Sequence, residues 1–590
     1  VSTVVPQALA LLNAGRAAEA RDLVQRALAR APHDLGLQNL MARASLQLGD
    51  HQRAAYFLER IVAARPGDAA ALANLGNALA AGGAVERAEP LLRKALAGDA
   101  GSAGVRHSLW NLLMDARRVG EAAGVCRDGL ALTPGDPLLT VDLATADAAL
   151  ARAEEGVAAL RAIADRHPEM RQLHQALAFF LNYAPGVDPA EILAAHRRYA
   201  DLVRRLTPGD GPPTADRDPE RRLRVGVLSS DLRTHSVAYF ARAIFEGLDR
   251  TSFEVVGYSL STTPADPMTR ALADAAHAWH DVGGLQNEAL VARVRGDRID
   301  ILLELNGLTR GGRLAALMRR AAPVQVSMIG YAATTGWPTM DYRVVDALTD
   351  PPGAEAFASE RLLRLDPCFL CYTPPDRPPE VEPVGRRSGV VFGSFNDIAK
   401  LNARVIEAWA RLLARAEGSR LLLKSHALRD ATIADDLTAR FESAGVGRGR
   451  LQLLGWTADT NEHLSLYRGV DVALDTFPYC GTTTTCEALL MGVPVVSLVG
   501  DAERPVHAAR VGLSLLSAVG ALELAASSEG EYVEKAASLA ADEGRRRGYR
   551  AGLRERLLAS PLCDRRAYAA RLGGALREAW RSTCAGGGGA

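Results

Sequence analysis

VDVALDTFPYCGTTTTCEALLMGVPVVSLVG, residues 470–500, reads as strand, loop, helix and strand in one short span. VDVALD and VPVVSLVG are continuous apolar runs of strand length, and CEALLMG between them has helical spacing. Two buried strands joined through a helix form a parallel pair. The loop places Gly481 and four hydroxyls, Thr482 to Thr485, at the helix entrance. A helix N-terminus exposes unpaired N–H groups and a partial positive charge, which suits phosphate. Gly481 lets the backbone come close, and Thr482, Thr483 and Thr484 add hydroxyl donors. One threonine suffices to cap a helix; four in succession point to a bound diphosphate.

The same rhythm extends on both sides. Candidate strands are LRVGVLSS (223–230), EVVGYSL, DILLEL (300–305), VQVSMIG (324–330) and YRVVDAL, then VVFGSF (390–395), RLLLKS (420–425) and LQLLG (451–455). Apolar strands alternating with helices predict parallel, doubly wound sheets. The proline-rich stretch 374–388 is a natural hinge between two such lobes. Ligands in this architecture bind beyond the carboxyl ends of strands, so two facing sheets make a shared cleft.

Post-strand loops supply the other candidates. GSFNDIAKLN (393–402) carries Lys400, a cation for the leaving diphosphate, and Asn396, a further donor-binding candidate. Glu487, in the first turn after the threonines, suits ribose hydroxyls or the helix dipole. His463 is placed either to pack on a nucleoside base or as a helix-surface imidazole. In VGVLSSDLRTHSVAYF, Asp231 and His235 follow a strand, and a histidine there can accept a hydroxyl proton or orient the acceptor. Asn306 and Thr309 in LELNGLTRGGR are candidates for sugar hydroxyls. Gly330, Tyr331 and Gly336 lie in a third post-strand loop, GYAATTGWPTMDY. No DxD motif stands in a post-strand loop, and no His/carboxylate cluster has metal spacing. A metal-independent reaction without cofactor is therefore expected, with Lys400 and the helix N-terminus opposing the charge of the diphosphate.

The first 200 residues repeat. Pro32, Pro66, Pro134 and Pro168 share one phase of a 34-residue period, broken by Ala100. Ala8, Ala42 and Gly76 form a second phase, and Ala20, Ala54, Ala88 and Ala122 a third. Gly15, Gly49 and Gly83 mark turns. A helix-turn-helix unit with small residues at the crossing and proline at the exit resembles the tetratricopeptide repeat. About five units between residues 3 and 170 predict an α-solenoid whose groove holds a protein or peptide. Self-association through the repeats is compatible with this plan.

With 590 residues, several domains are expected. The balance of 69 basic and 69 acidic residues carries no global field for nucleic acid. No apolar run has membrane-spanning length, and no secretory signal stands at the amino end. Seven scattered cysteines argue for a reducing, cytoplasmic location. Cys368 and Cys371 have redox or zinc spacing, but without a second pair they read as partly buried thiols. The expected division is 1–206 repeats, 207–221 linker, 222–378 first lobe, 379–582 nucleotide-sugar lobe and 583–590 flexible tail.

The repeats joined to GYAATTGWPTMDY, FGSFNDIAK and LDTFPYCGTTTTCEALLMGVP resemble the protein O-linked N-acetylglucosamine transferases. THSV (234–237), DPCFLCYTP (366–374) and GTTTTCE (481–487) are similar to their Spindly branch, named for a plant protein O-fucosyltransferase. The resemblance implies a GT-B fold with two Rossmann-like domains. It implies an inverting transferase that moves a sugar from a nucleotide donor to Ser or Thr hydroxyls. It also implies Lys400, Thr483 and Thr484 at the donor phosphates, His463 near the base, Glu487 at the ribose and His235 between the lobes. Departures fall in the donor pocket: Thr482 replaces a histidine, Thr460 and Leu466 replace basic residues, and Asp397 replaces an amide. UDP-N-acetylglucosamine, GDP-fucose and another nucleotide sugar, such as one used on flagellin, stay open. So do a non-catalytic nucleotide-sugar sensor and, more weakly, a transferase to small molecules or lipid.

Overall fold

The computed structural model describes residues 3–207, 209, 211, 213, 215–383, 389–457 and 459–586. Val1–Asp147 and Ala148–Ala590 form two compact units.

In the first unit the 34-residue period becomes helix pairs, from Val4–Asn13 and Ala17–Leu28 to Ala103–Asp115 and Val119–Leu132. Each pair turns on one left-handed residue. Gly15, Gly49 and Gly83 have φ of +73°, +75° and +82°, and Arg117 holds the same phase at +62°. Two residues after Pro32, Pro66 and Pro134 stand Asp34, Asp68 and Asp136. Their carboxylates accept from the N–H of Leu37, Ala71 and Leu139 at 3.0 Å. Where Ala100 interrupts the prolines, Ser102 caps instead, accepting from the Val105 N–H at 3.3 Å. The phase thus stops one helix with proline and starts the next with an oxygen acceptor. Ala8, Ala20, Ala42, Ala54, Ala88 and Ala122 are buried at the crossings.

The second unit opens with helices Ala153–Ala164, Arg171–Phe180 and Pro189–Leu206, which group with the α/β region rather than with the preceding repeats. Their aromatic residues dock there: Phe179 stacks on Tyr331 at 6.2 Å and Tyr199 meets Trp337 at 5.3 Å. Gly336, at φ +74°, sits so close to the Pro189–Leu206 helix that a β-carbon would lie 2.4 Å from the His196 carbonyl carbon. The described part of the expected linker has no helix or strand, and Ala215 within it packs on the core of the lobes.

Two parallel sheets follow, matching a GT-B fold. The first comprises β1 (Leu223–Ser229), β2 (Phe253–Ser259), β3 (Ala278–Asp281), β4 (Ile301–Glu304), β5 (Val324–Ser327), β6 (Tyr342–Val345) and β7 (Arg361–Arg364), in the order β3-β2-β1-β4-β5-β6-β7. The second comprises β8 (Val391–Ser394), β9 (Arg420–Lys424), β10 (Leu451–Leu454), β11 (Val472–Leu474), β12 (Val495–Leu498) and β13 (Ala525–Ala526), in the order β10-β9-β8-β11-β12-β13. The ten strands read from sequence are all present. The three additional ones are edge strands: β3 and β7 are less buried and carry charged residues, and β13 is only two alanines long.

The last helix, Arg565–Gly586, crosses back to the first lobe, where Trp580 Nε1 donates to the Asp218 carbonyl at 3.1 Å. Helical structure therefore continues through the first residues of the expected tail, while 587–590 lie outside the described residues, as do 384–388 of the expected hinge. The local reason is packing: Trp580 is buried and holds the helix against the lobe one turn before the expected tail. Cys368 and Cys371 are fully buried, more than expected, and burial pushes both thiols up to about 12. All seven cysteines are unpaired. Among the described residues no helix is long and apolar enough to cross a membrane.

Candidate active site

Each sheet reverses its strand order once, between β1 and β4 in the first and between β8 and β11 in the second. Connections leaving such neighbours run to opposite sides and open a crevice beyond the strand ends. A cleft of about 350 Å³ lies there. The first lobe contributes His235 and Gly330; the second contributes Phe395, Asn396, Lys400, Lys424, Tyr479 and Thr482 to Thr484. A larger cavity of about 760 Å³, bounded by Pro478, Gly500 and Glu529, contains none of the expected site residues.

At the first switch point Asp231 is buried after β1, and its Oδ2 accepts from Asn306 Nδ2 at 2.9 Å. Its Oδ1 stands 3.7 Å from His235 Nδ1 and 3.7 Å from Arg233 Nη2. Burial lowers the pKa of His235, Asp231 opposes that shift, and Arg233 adds to it. The imidazole is therefore held toward its neutral, proton-accepting form.

At the second switch point the polarity of the pairing is reversed. Asn396, after β8, donates from Nδ2 to Asp475 Oδ1 and to Thr476 Oγ1, each at 3.1 Å. The Gly481 N–H donates to the same Asp475 oxygen at 2.6 Å, and Thr484 Oγ1 donates to Asn396 Oδ1 at 2.5 Å. A β-carbon on Gly481 would lie 2.7 Å from both Asn396 Oδ1 and Thr484 Oγ1, so the loop closes this tightly only around glycine. The helix Thr483–Leu490 then begins with Thr482 as N-cap residue, whose hydroxyl makes no capping bond. Lys400 Nζ donates to the Cys480 carbonyl at 2.7 Å and lies 4.2 Å over the Tyr479 ring. Burial lowers its pKa, while Asp475 and Asp397 pull the other way. A cation and an open helix N-terminus thus share one wall of the cleft.

His463 and Glu487 stand behind that wall. Lys424 Nζ donates to His463 Nδ1 at 2.7 Å, and His463 Nε2 donates to Glu487 Oε2 at 2.9 Å. The member of this chain that lines the cleft is Lys424.

Four residues expected to meet sugar or acceptor are placed elsewhere. Asn306 is fully buried; its amide donates to Ser230 Oγ and Asp231 Oδ2 and accepts from the Ser230 N–H, all at 2.9 Å. Thr309 Oγ1 donates to the Asn306 carbonyl at 2.8 Å. The Tyr331 hydroxyl donates to His196 Nε2 at 2.7 Å, because His196 Nδ1–H is committed to the Ile192 carbonyl. Gly336 faces the same helix. Asn306, Thr309 and Tyr331 bond to loops or a docked helix, the Gly336 backbone packs on that helix, and none of the four lines the cleft. Sequence reasoning passed over Lys424, Phe395 and Tyr479. For Lys424 a signal existed: Lys94, Lys400, Lys424 and Lys535 are the only lysines among 69 basic residues. Among the described residues no group of three or more His, Cys, Asp or Glu stands in metal-holding geometry.

Residues 45–109 match the tetratricopeptide repeat. The "Probable UDP-N-acetylglucosamine--peptide N-acetylglucosaminyltransferase SPINDLY" of Arabidopsis thaliana is 39% identical over 426 residues, covering 71% of this chain and 46% of the relative. The protein named SEC from the same plant, also a probable UDP-N-acetylglucosamine--peptide N-acetylglucosaminyltransferase, is 29% identical over 424 residues, covering 68% and 42%. The chain spans about half the length of the curated relatives it matches. A solved lysine-to-methionine mutant of the Thermobaculum terrenum O-GlcNAc transferase aligns with a TM-score of 0.79 at 34% identity, over 88% of this chain and 98% of that one. Residues 212–372 and 386–572 match glycosyl transferase family 41, a span that takes in both sheets and both walls of the cleft, and the chain belongs to that family.

Proposed function

We propose that this chain transfers a sugar from a nucleotide-sugar donor to Ser or Thr hydroxyls of proteins, with inversion and without a metal. The relatives' names favour UDP-N-acetylglucosamine as donor. The observation that carries the reading is that His235 of one lobe lines the same cleft as Lys400 and Thr482 to Thr484 of the other.

In this reading the diphosphate lies against the helix that starts at Thr483, with the Lys400 ammonium beside it. The acceptor oxygen attacks the anomeric carbon from the face opposite the diphosphate. The carbon–phosphate-oxygen bond breaks, and the diphosphate leaves with the electron pair. Lys400 and the helix N–H groups stabilise that charge, the work a metal does elsewhere. The acceptor's proton goes to His235, to Asp231 or to a departing phosphate oxygen. Asn306, Thr309, Tyr331 and Gly336 act as scaffold. The repeats present the acceptor protein, and the unpaired cysteines fit a cytoplasmic setting.

The experiment is transfer of radiolabel from UDP-N-acetylglucosamine and, in parallel, from GDP-fucose to lysate proteins, with and without EDTA. Label from one donor, resistant to EDTA and abolished in Lys400→Ala, is expected. Equal labelling by wild type and Lys400→Ala overturns the role of Lys400. Absence of both transfer and donor hydrolysis overturns the enzyme reading in favour of a nucleotide-sugar sensor.

A further inference from the structure

Lys400 closes a single 3-10 turn, Ile398–Lys400, and its ammonium sits at the end of a flexible side chain. Among the described residues that ammonium has two contacts, the Cys480 carbonyl at 2.7 Å and the Tyr479 ring at 4.2 Å. Asp475 and Asp397 act on it electrostatically without pairing with it. Asp475 is taken up by Asn396, the Gly481 N–H and Ser497 Oγ, and Asp397 accepts from the Ala399 N–H. A paired carboxylate would hold the ammonium and cancel its charge. An aromatic face holds a cation through the ring quadrupole and leaves the charge uncancelled.

The ring needs a brace of its own, since Tyr479 lies in the loop between β11 and the helix Thr483–Leu490. Tyr183, just beyond the helix Arg171–Phe180, supplies it, with the two ring centroids 4.9 Å apart and their planes 32° from parallel. Tyr183 packs in turn on Phe179 at 5.5 Å and on Phe180 at 6.3 Å, and Phe179 stacks on Tyr331 of the first lobe. A row of rings thus runs from the first lobe, through the docked helices, to Lys400. Tyr479 lines the cleft and Tyr183 does not. Among the described residues neither of these two hydroxyls has a hydrogen-bond partner, so what each residue contributes is its ring.

We propose that Tyr479, braced by Tyr183, is a positioning residue of the donor site: its ring fixes the Lys400 ammonium beside the diphosphate and leaves the charge uncancelled. This rests on the reading of the cleft as a nucleotide-sugar site. Tyr183 acts through Tyr479, so the segment after the docked helix serves the donor site without touching the donor. Without either ring the ammonium swings away from the diphosphate or settles on a neighbouring carboxylate, and both nucleotide binding and transfer weaken.

The test is calorimetric binding of UDP and of GDP to the full chain, with kcat measured alongside and thermal unfolding as the check on folding. Tyr479→Leu should weaken the bound nucleotide about tenfold, the scale of losing a desolvated contact between a cation and a ring. Tyr479→Phe, which keeps the ring, should restore most of that affinity. Tyr183→Leu should weaken it about threefold, the worth of one aromatic pair, lower kcat in the same direction, and be rescued by Tyr183→Phe. In a Lys400→Met background Tyr183→Leu should cost no further affinity, because the brace then holds nothing. A folded Tyr183→Leu with wild-type affinity and kcat overturns the inference while leaving the nucleotide site intact. So does one that loses as much affinity with Lys400→Met as without it. Where Tyr183→Leu does not fold, the Tyr479 pair decides, and equal affinity in Tyr479→Leu and Tyr479→Phe overturns the inference. Failure of wild type to bind either nucleotide overturns the site reading itself, and this inference with it.

Discussion

The two switch points are built alike and used differently. Each has an asparagine from one post-strand loop holding an aspartate from the other: Asn306 to Asp231 in the first lobe, Asn396 to Asp475 in the second. In the first lobe the hydrogen bonds of Asn306 and Thr309 all end within the loops. In the second, the same kind of staple binds Gly481 and Thr484, and Asn396, Lys400 and Thr482 to Thr484 line the cleft. A polar residue after a parallel strand is therefore not by itself a ligand contact. What decides is whether the loop turns it toward the cleft or into the fold.

Variants can break this comparison. The largest effect is expected from Lys400→Ala: a loss of at least about 100-fold in kcat, the scale for removing one group that opposes developing negative charge. Its melting temperature should stay near that of wild type, since Lys400 Nζ bonds one backbone carbonyl. A large drop in melting temperature would mean that Lys400 is scaffold as well. Asn306→Ala should do the reverse. It leaves the Ser230 N–H and the Asp231 carboxylate short of partners, at a cost of about 3 kcal/mol in denaturant unfolding, with nucleotide affinity in calorimetry unchanged. Loss of affinity without loss of stability would place Asn306 back among the ligand contacts.

Asp231→Asn tests the proton-accepting side. Asp231 raises the pKa of His235 against the lowering by burial and Arg233. Neutral His235 is the form that accepts a proton, so transfer falls as pH drops through its pKa. Removing Asp231 lowers that pKa, and the acid limb of the kcat profile should move to lower pH; Arg233→Ala should move it to higher pH. An unmoved acid limb in both variants would assign the proton to another group. Within the threonine run, Thr484→Ala loses the bond to Asn396 and should cost about 1 kcal/mol of stability, whereas Thr482→Ala should raise donor KM and leave the melting temperature unchanged.

The smallest effect is a control from the repeats. Arg117 occupies the left-handed turn that Gly15, Gly49 and Gly83 fill elsewhere. Arg117→Gly should stabilise that turn by about 0.5–1 kcal/mol, read as slower amide exchange in the two flanking helices, with no change in transfer.

Much of the fold was legible because its signals are local. The ten strands read from sequence announce themselves as short apolar runs, and Pro-x-Asp in one phase both ends a helix and caps the next. The edge strands β3 and β7 did not, since an edge strand meets solvent or loops and its composition turns mixed, and β13 is only two alanines long. At the site, Lys400, Asn396, His235 and Thr482 to Thr484 were readable from post-strand position. Asn306, Thr309, Tyr331 and Gly336 shared that position and went to scaffolding. Lys424 sits on the last residue of a strand, where the alternation of faces offers no cue, and only its rarity pointed to it.

The sequence by itself determined the period of the repeats, the parallel sheets and the loops that reach the strand ends, because each follows from spacing along the chain. The tertiary structure decided which of those loops closes on itself and which faces the cleft. It also decided that the helices between residues 153 and 206 belong with the lobes, and that Lys424, His463 and Glu487 form one directed chain. These depend on which hydrogen-bond donor finds which acceptor across scores of residues, and side-chain bonds over that separation leave no pattern in the local order of residues.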